Sequence, residues 1–311
     1  MSTHPTTNPG TGSATYTAHL WVDSQCHLAE SPRWDDRRGG ELVWVDLEAG
    51  LLWRWAPDRH AASTALGRAT GVAVPRSDGG MITAGTGGFT WIDEAGSQQC
   101  TVDLPEDWSV MRMNDGVCDP AGRLLCGSTP WKAGARPGNL YQLSGGGRVR
   151  TLRRGLGMSN GMGWSPDGRS FYHVDTLEHS VSVYDYVPET GDLGERRGAF
   201  RVDPQLGMPD GLTVDADGFL WIAIWGGGRV IRYTPTGESR EEIVVPARYV
   251  TSCTFGGRDL CDLFITTARW DLGVDELASE TGAGGVFHCR LPVSGLPLSR
   301  FDGSTRPPQS R

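Results

Sequence analysis

The chain has no apolar run of about 18 residues or more, which leaves it without a candidate membrane-spanning helix. It has no basic and then apolar leader either: Met1 to Ala14 is rich in Ser, Thr, Pro and Gly and does not read as a secretion signal. A cytoplasmic protein with no membrane partner is therefore expected. Positive charge is short, with 29 Lys and Arg against 37 Asp and Glu and a formal net charge of −8. That balance disfavours nucleic acid, because neutralising phosphates takes a basic surface. The seven cysteines are odd in number and lack metal-type spacing, so they read as reduced thiols. Cys118/Cys126 and Cys253/Cys261, each pair eight apart, read as small buried core residues.

Helical periodicity is also missing. No stretch sustains a 3.6-residue period over three turns, and only DLGVDELASE from Asp271 suggests a short helix or an excursion loop. An alternating β/α fold would need a helix between successive strands, and the gaps are too short and too Gly-rich for that. Familiar catalytic signatures do not occur. There is no G-x-S-x-G turn, the seven His form no H-x-x-x-H pair, and Gly226 to Gly228 lies between strands rather than leading into a helix that could cradle phosphate.

What is present is glycine, 44 residues of it, with 12 Trp and 38% hydrophobic residues, a composition suited to many short strands joined by tight turns around a sizeable core. The sequence repeats itself. SNGMGWSPDGRSFYHVDT from Ser159, PDGLTVDADGFLWIAIWG from Pro209 and MNDGVCDPAGRLLCGST from Met113 share one plan: a polar residue, a short apolar strand, a Pro/Asp/Gly turn and a second apolar strand. Weaker copies start at Ala29, Thr70 and Thr251, which makes six. Stepping back five residues from each turn lands on Glu30, Thr70, Asn114, Asn160, Asp210 and Thr251, about 40–50 residues apart, the period of a four-stranded propeller blade. The expected fold is all-β, a six-bladed β-propeller of four-stranded antiparallel blades over residues 15–302. A strand from TYTAHLWVD at Thr15 would close the ring against GGVFHCRLPV from Gly284, and residues 1–14 and 303–311 would be disordered tails.

In such a ring the inner strands start at one end of the channel, so residues at one repeat position converge on the axis. Glu30, Asn160 and Asp210 share that position and are hard oxygen donors, two carboxylates and an amide suited to one divalent cation at the channel mouth. Ca²⁺ is favoured ahead of Mg²⁺, Mn²⁺ or Zn²⁺, and so few protein ligands leave room for water and substrate. Asp46 and Asp175, at the ends of WVD and HVD, read as hydrogen-bonded turn residues. His27 reads as a packed strand histidine, and Trp225 as lining the channel or packing between blades.

The stretches LAESPRWD, RMNDGVCDPAGR, SNGMGWSPDGRSFYHVDT, PDGLTVDADGFLWIAIWGGGRVIRY and TSCTFGGRDLCDLFITTA resemble, in order and over nearly the whole chain, the senescence-marker-protein/gluconolactonase/regucalcin family. The resemblance implies a six-bladed propeller and a metal-dependent lactonase acting on a small-molecule sugar lactone. It also implies Glu30, Asn160 and Asp210 as metal ligands, Arg112 and Asn114 as the substrate-binding pair, and a second role for Asp210 in activating water. Two departures stand out. Val117 follows NDG where relatives often carry Lys, and the segment GSTPWKAGARPG from Gly127 has no carboxylate where some relatives place an acidic substrate contact. Trp131, Lys132 and Arg136 take its place, with Trp131 a candidate substrate contact. The usual hexono- or pentonolactone is thus in question, and three other readings stay open: a related esterase or phosphotriesterase-like propeller, a secondary-metabolism enzyme and a non-catalytic calcium-binding propeller.

Overall fold

The three strongest repeats turn in the same way. Asp119 accepts hydrogen bonds from the backbone N–H groups of Ala121 and Arg123, at 3.0 and 2.8 Å, and Asp215 accepts from those of Asp217 and Phe219, at 3.0 and 2.9 Å. In the third copy Ser165 Oγ accepts from Ser170 N at 3.0 Å. Three residues after each of these, Gly122, Gly168 and Gly218 take φ of 79°, 71° and 84°, a conformation only glycine adopts at no steric cost. The two carboxylates are fully buried and paired, Asp119 with Arg123 at 2.5 Å and Asp215 with Arg232 at 2.7 Å.

The computed structural model describes residues 6–7 and 14–303, so the two tails expected from the sequence lie almost wholly outside the described residues. Six antiparallel sheets follow one another along the chain. Blade 1 comprises Ala29–Asp35, Glu41–Asp46, Leu51–Ala56 and Arg59–Ala65. Blade 2 comprises Thr70–Pro75, Met81–Gly85, Gly88–Ile92 and Gln98–Asp103. Blade 3 comprises Met111–Cys118, Leu124–Pro130, Gly138–Ser144 and Arg148–Leu156. Blade 4 comprises Ser159–Trp164, Ser170–Asp175, Ser180–Val187 and Asp192–Arg201. Blade 5 comprises Met208–Val214, Leu220–Trp225, Arg229–Tyr233 and Ser239–Val244. Blade 6 comprises Val250–Gly256, Asp262–Thr267 and Val286–Arg290. Its outer strand is His19–Val22, which pairs antiparallel with Val286–His288 and closes the ring as expected. Inner strands of successive blades pack together, and that of blade 6 packs on that of blade 1.

Each sheet is apolar on both faces, so the core lies between blades. Trp44, Trp91 and Trp221 are wholly buried there, a large apolar burial of roughly 150–250 Å² per side chain. The helical segment is short, Val274–Ser279, within the excursion between the second and third strands of blade 6. No helix among the described residues is long and apolar enough to cross a membrane. None of the seven cysteines is in a disulfide; Cys118, Cys126 and Cys253 are buried, whereas Cys261, expected in the core, is only partly so because it sits at a strand entry.

The entry segment does more than close blade 6. Ala14–Thr17 runs parallel to Ser239–Val244 and extends blade 5, with Tyr16 buried among Trp221, Ile243 and Phe287. One stretch therefore covers the open edges of two neighbouring sheets. A chain starting at Ser24 would expose both edges and lose the Tyr16 contact. Removing one buried aromatic costs about 3–5 kcal/mol, so the melting temperature should fall by about 10 °C or more. Calorimetry of the shortened chain checks this, and an unchanged midpoint would contradict it.

Candidate functional site

All six inner strands break register at the repeat position singled out by the sequence. The irregularities fall between Glu30 and Arg33, Thr70 and Val72, Met113 and Gly116, Ser159 and Met162, Pro209 and Leu212, and Val250 and Ser252. A bulge abandons the strict in–out alternation of a strand and re-aims a side chain. Glycine next to the bulge lets neighbouring strands meet. A Cβ on Gly161 would lie 2.5 Å from Leu212 N and 2.6 Å from Asp210 O, and one on Gly71 would lie 2.0 Å from Asn114 O. The ring is therefore narrow because its backbones touch.

On this ring Glu30, Asn160 and Asp210 are all buried. Burial pushes the Glu30 carboxyl up to about 8, helped by Asp115 and opposed by Arg112. Burial holds the Asp210 carboxyl well above the usual carboxylate range, with Glu30 and then Asp115 adding to the rise. Three carboxyl groups thus crowd one desolvated place. The sign of the linkage follows. A carboxyl raised on folding keeps a proton that the unfolded chain would release, so its stabilisation is full below about pH 4.5 and is lost as the pH climbs through about 8.

The donor atoms are oriented as well as crowded. Asn160 Nδ2 donates to Thr176 Oγ1 at 3.0 Å, and that hydroxyl donates to Pro209 O at 2.8 Å. This fixes the amide and leaves Asn160 Oδ1 buried with no hydrogen-bond partner, and Asp210 Oδ1 is left the same way. Unpartnered buried oxygens are costly unless something positive meets them. One carboxylate oxygen and one amide oxygen without hydrogen-bond partners, beside a second buried carboxylate, fit a hard divalent cation. Among the described residues no three His, Cys, Asp or Glu side chains cluster as a metal site, so a cation here would rest on two carboxylates and the amide.

Asp115 was not singled out in the sequence, yet it reaches this centre. Its Oδ1 accepts from Ser31 Oγ at 2.8 Å and from Gly116 N at 2.7 Å, and it lies 3.7 Å from Arg33 Nη2. Ser31, next to Glu30, holds φ at 48°, an uncommon value for a non-glycine residue and a mark of a constrained backbone at this point. Arg33 also lines a cavity of about 310 Å³ at the other end of the channel, together with Met162, Trp164 and Leu298. The Arg33–Asp115 pair thus sits between the two ends.

Arg112, partly buried, faces Glu30, Glu48 and Asp210, whose charges oppose the lowering of its pKa by burial. Its Nη1 donates to Asn114 Oδ1, while Asn114 Nδ2 donates to Ser159 O at 2.8 Å. Asn114 therefore braces Arg112 and keeps one N–H and one lone pair free. Trp131 is exposed on the rim with the Arg112 guanidinium 5.6 Å from its ring centroid. His27 is not the packed strand histidine expected. It precedes the blade 1 inner strand, is half-exposed, pairs with Glu48 at 3.2 Å and stands 5.2 Å from the Trp270 ring. Asp46 and Asp175 are hydrogen-bonded as expected, Asp46 accepting from the N–H groups of His27 and Leu28 and Asp175 from those of Gly157 and Met158.

A family model described as SMP-30/gluconolactonase/LRE-like region matches residues 28–269. Regucalcin of Oryctolagus cuniculus is 35% identical over 291 residues, 91% of this chain and 97% of that protein. A pentonolactonase of Haloferax volcanii is 35% identical over 289 residues, 90% of this chain and 97% of that protein. The crystal structure of a calcium-binding protein, regucalcin, from Agrobacterium tumefaciens matches with a TM-score of 0.85 at 27% identity, covering 92% of this chain and 98% of that one.

The close approach at Gly161 gives a direct check on the ring. Gly161→Ala places a methyl against Asp210 O and Leu212 N, so blades 4 and 5 must part. The expected cost is about 1–3 kcal/mol of stability, read by denaturant titration. A variant of unchanged stability would show that the ring tolerates widening.

Proposed function

Because the chain belongs to the SMP-30/gluconolactonase/LRE-like family, we propose that it is a divalent-cation-dependent hydrolase that opens a lactone to the hydroxy acid. The observation that carries this reading is the buried pair Glu30 and Asp210, with the unpartnered oxygens Asp210 Oδ1 and Asn160 Oδ1 beside it. The names of the relatives support it, one a pentonolactonase and another a calcium-binding protein. Glu30, Asn160 and Asp210 would hold the cation, and an all-oxygen set favours Ca²⁺ or Mg²⁺ over the nitrogen- and sulfur-seeking Zn²⁺.

A bound cation would supply Lewis acidity toward the lactone carbonyl and make a nearby water easier to deprotonate. The chain's own residues do the rest. Arg112, braced by Asn114 Oδ1, donates N–H groups toward the negative charge that develops on the carbonyl oxygen. Asp210 accepts the proton of the attacking water at its carboxylate and returns it to the ring oxygen as that bond breaks. Asn160 stays fixed through Thr176, so the geometry does not relax as charge builds. A calcium-binding propeller without turnover would use the same ring. The position of Arg112, facing the carboxylates from the mouth, favours chemistry over storage.

Lactone hydrolysis should stop on chelation and return with added Ca²⁺, Mg²⁺ or Mn²⁺. Asp210→Asn keeps an oxygen donor and removes a charge and the base. At saturating cation its kcat should stay about 10²–10⁴-fold low. Full recovery on raising the cation would leave Asp210 a ligand and remove its role as base, while activity untouched by chelation would overturn the cation requirement altogether.

A further inference from the structure

The last stretch of described chain crosses the end of the channel opposite the carboxylate ring. Ser294 O accepts from Ala216 N at 2.8 Å beside blade 5, and Arg300 Nη2 donates to Asp35 Oδ1 of blade 1 at 2.9 Å. Phe301 N donates to Pro75 O of blade 2 at 3.0 Å, and Asp302 N to Gly122 O in the first turn of blade 3 at 2.9 Å. Phe301 is wholly buried. Four blades thus hold residues 294–303 as a strap, and Leu296 to Ser299 form one wall of the cavity of about 310 Å³ that Arg33 also lines. That size lies at the lower end of pockets that take small organic ligands. Met162, Leu212, Val214 and Leu298 make the walls largely apolar, and Pro166 is exposed at the rim.

Among the described residues that line this cavity, two are charged: Asp167, exposed at the rim, and Arg33, whose side chain is only 9% exposed. Arg33 is incompletely satisfied. Its Nη1 donates to Pro32 O at 2.8 Å and its Nη2 to Gly116 O, both uncharged carbonyls, and its Nε has no partner. Asp115, at 3.7 Å, is beyond hydrogen-bond distance, and its Oδ1 already accepts from Ser31 Oγ and Gly116 N. Trp164, in the same wall, keeps its Nε1 buried without an acceptor. N–H donors are therefore in surplus here, and a desolvated guanidinium lacks a hydrogen-bonded counter-ion. A carboxylate bonded to it would offset that cost. We propose that this cavity is a second binding site, at the other end of the channel from the carboxylate ring, for a small monocarboxylate with an apolar tail. The carboxylate sits on Arg33 and the tail runs along Met162, Leu212, Val214 and Leu298. The site is independent of the lactonase reading.

Octanoate, 1-octanol and octylamine share a tail and differ in head group. Calorimetric titration of the full chain with each, with Ca²⁺ present and again after chelation, tests the site. Octanoate should bind one-to-one in both conditions, and the alcohol and the amine about ten-fold more weakly or worse, the worth of a charge-assisted hydrogen bond. Arg33→Met keeps an apolar stem and removes the charge, so octanoate should fall to the level of octanol. Leu298→Trp, on the strap, narrows the cavity and keeps the arginine, and it should weaken octanoate by about ten-fold or more. Melting temperatures show whether each variant is folded, and Leu298→Trp decides the matter if Arg33→Met is not. Octanoate binding that vanishes on chelation would belong to a cation at the mouth and would overturn the second site. So would the absence of octanoate binding, octanol binding as tight as octanoate, or octanoate binding unchanged in Leu298→Trp.

Discussion

Glu30 and Asp210 are buried close enough to raise each other's pKa, and Asp115 adds a third carboxyl nearby. Left alone, Glu30 and Asp210 stay protonated or repel, and both cost stability as the pH rises. Beside them Asn160 Oδ1 and Asp210 Oδ1 are buried without a hydrogen-bond partner. Arg112, which reaches the mouth from blade 3, is itself braced in position and partly desolvated. Concentrated negative charge with oriented lone pairs is a state that a small hard cation relieves directly.

That charge can be concentrated only because the fold brings the strands close. Glycines at 71, 161 and 211 sit where a methyl would strike the next blade, and a bulge in every inner strand turns the ring residue off the strand's regular alternation. The closing segment from residue 14 onward holds blades 5 and 6 together and so keeps the circle from opening at the seam. Stability of the outer sheets and geometry of the centre are therefore one problem. A change that widens the ring weakens the core and the site together.

Much of this was legible in the sequence because a repeat in the chain becomes a repeat in space. Counting back five residues from SPDGR or DADGF reaches Asn160 and Asp210, and the structure puts both on one ring with Glu30. The same procedure lands on Asn114 and passes over Asp115, since in a regular strand the next residue points away. The bulge between Met113 and Gly116 breaks that rule, and a bulge leaves no trace in a period of two. His27 was misread for a related reason: it lies just outside its strand, where it meets Glu48 rather than the core. The sequence reading of Trp225 as lining the channel or packing between blades stopped short of its partners Tyr249 and Trp270, because residues 225, 249 and 270 share no motif and meet only when blades 5 and 6 close. The parallel pairing of Ala14–Thr17 with blade 5 was hidden likewise, since the same stretch also supplies the expected closing strand.

In the proposed mechanism a cation takes the place of protons at Glu30 and Asp210. Calorimetric titration of the chelated protein with Ca²⁺ at pH 7, repeated in two buffers of different ionisation enthalpy, measures the protons released on binding. One site releasing about one to two protons, and fewer in Glu30→Gln, is the predicted result. Ca²⁺ binding with no proton release, or no binding by protein freed of metal, would contradict it.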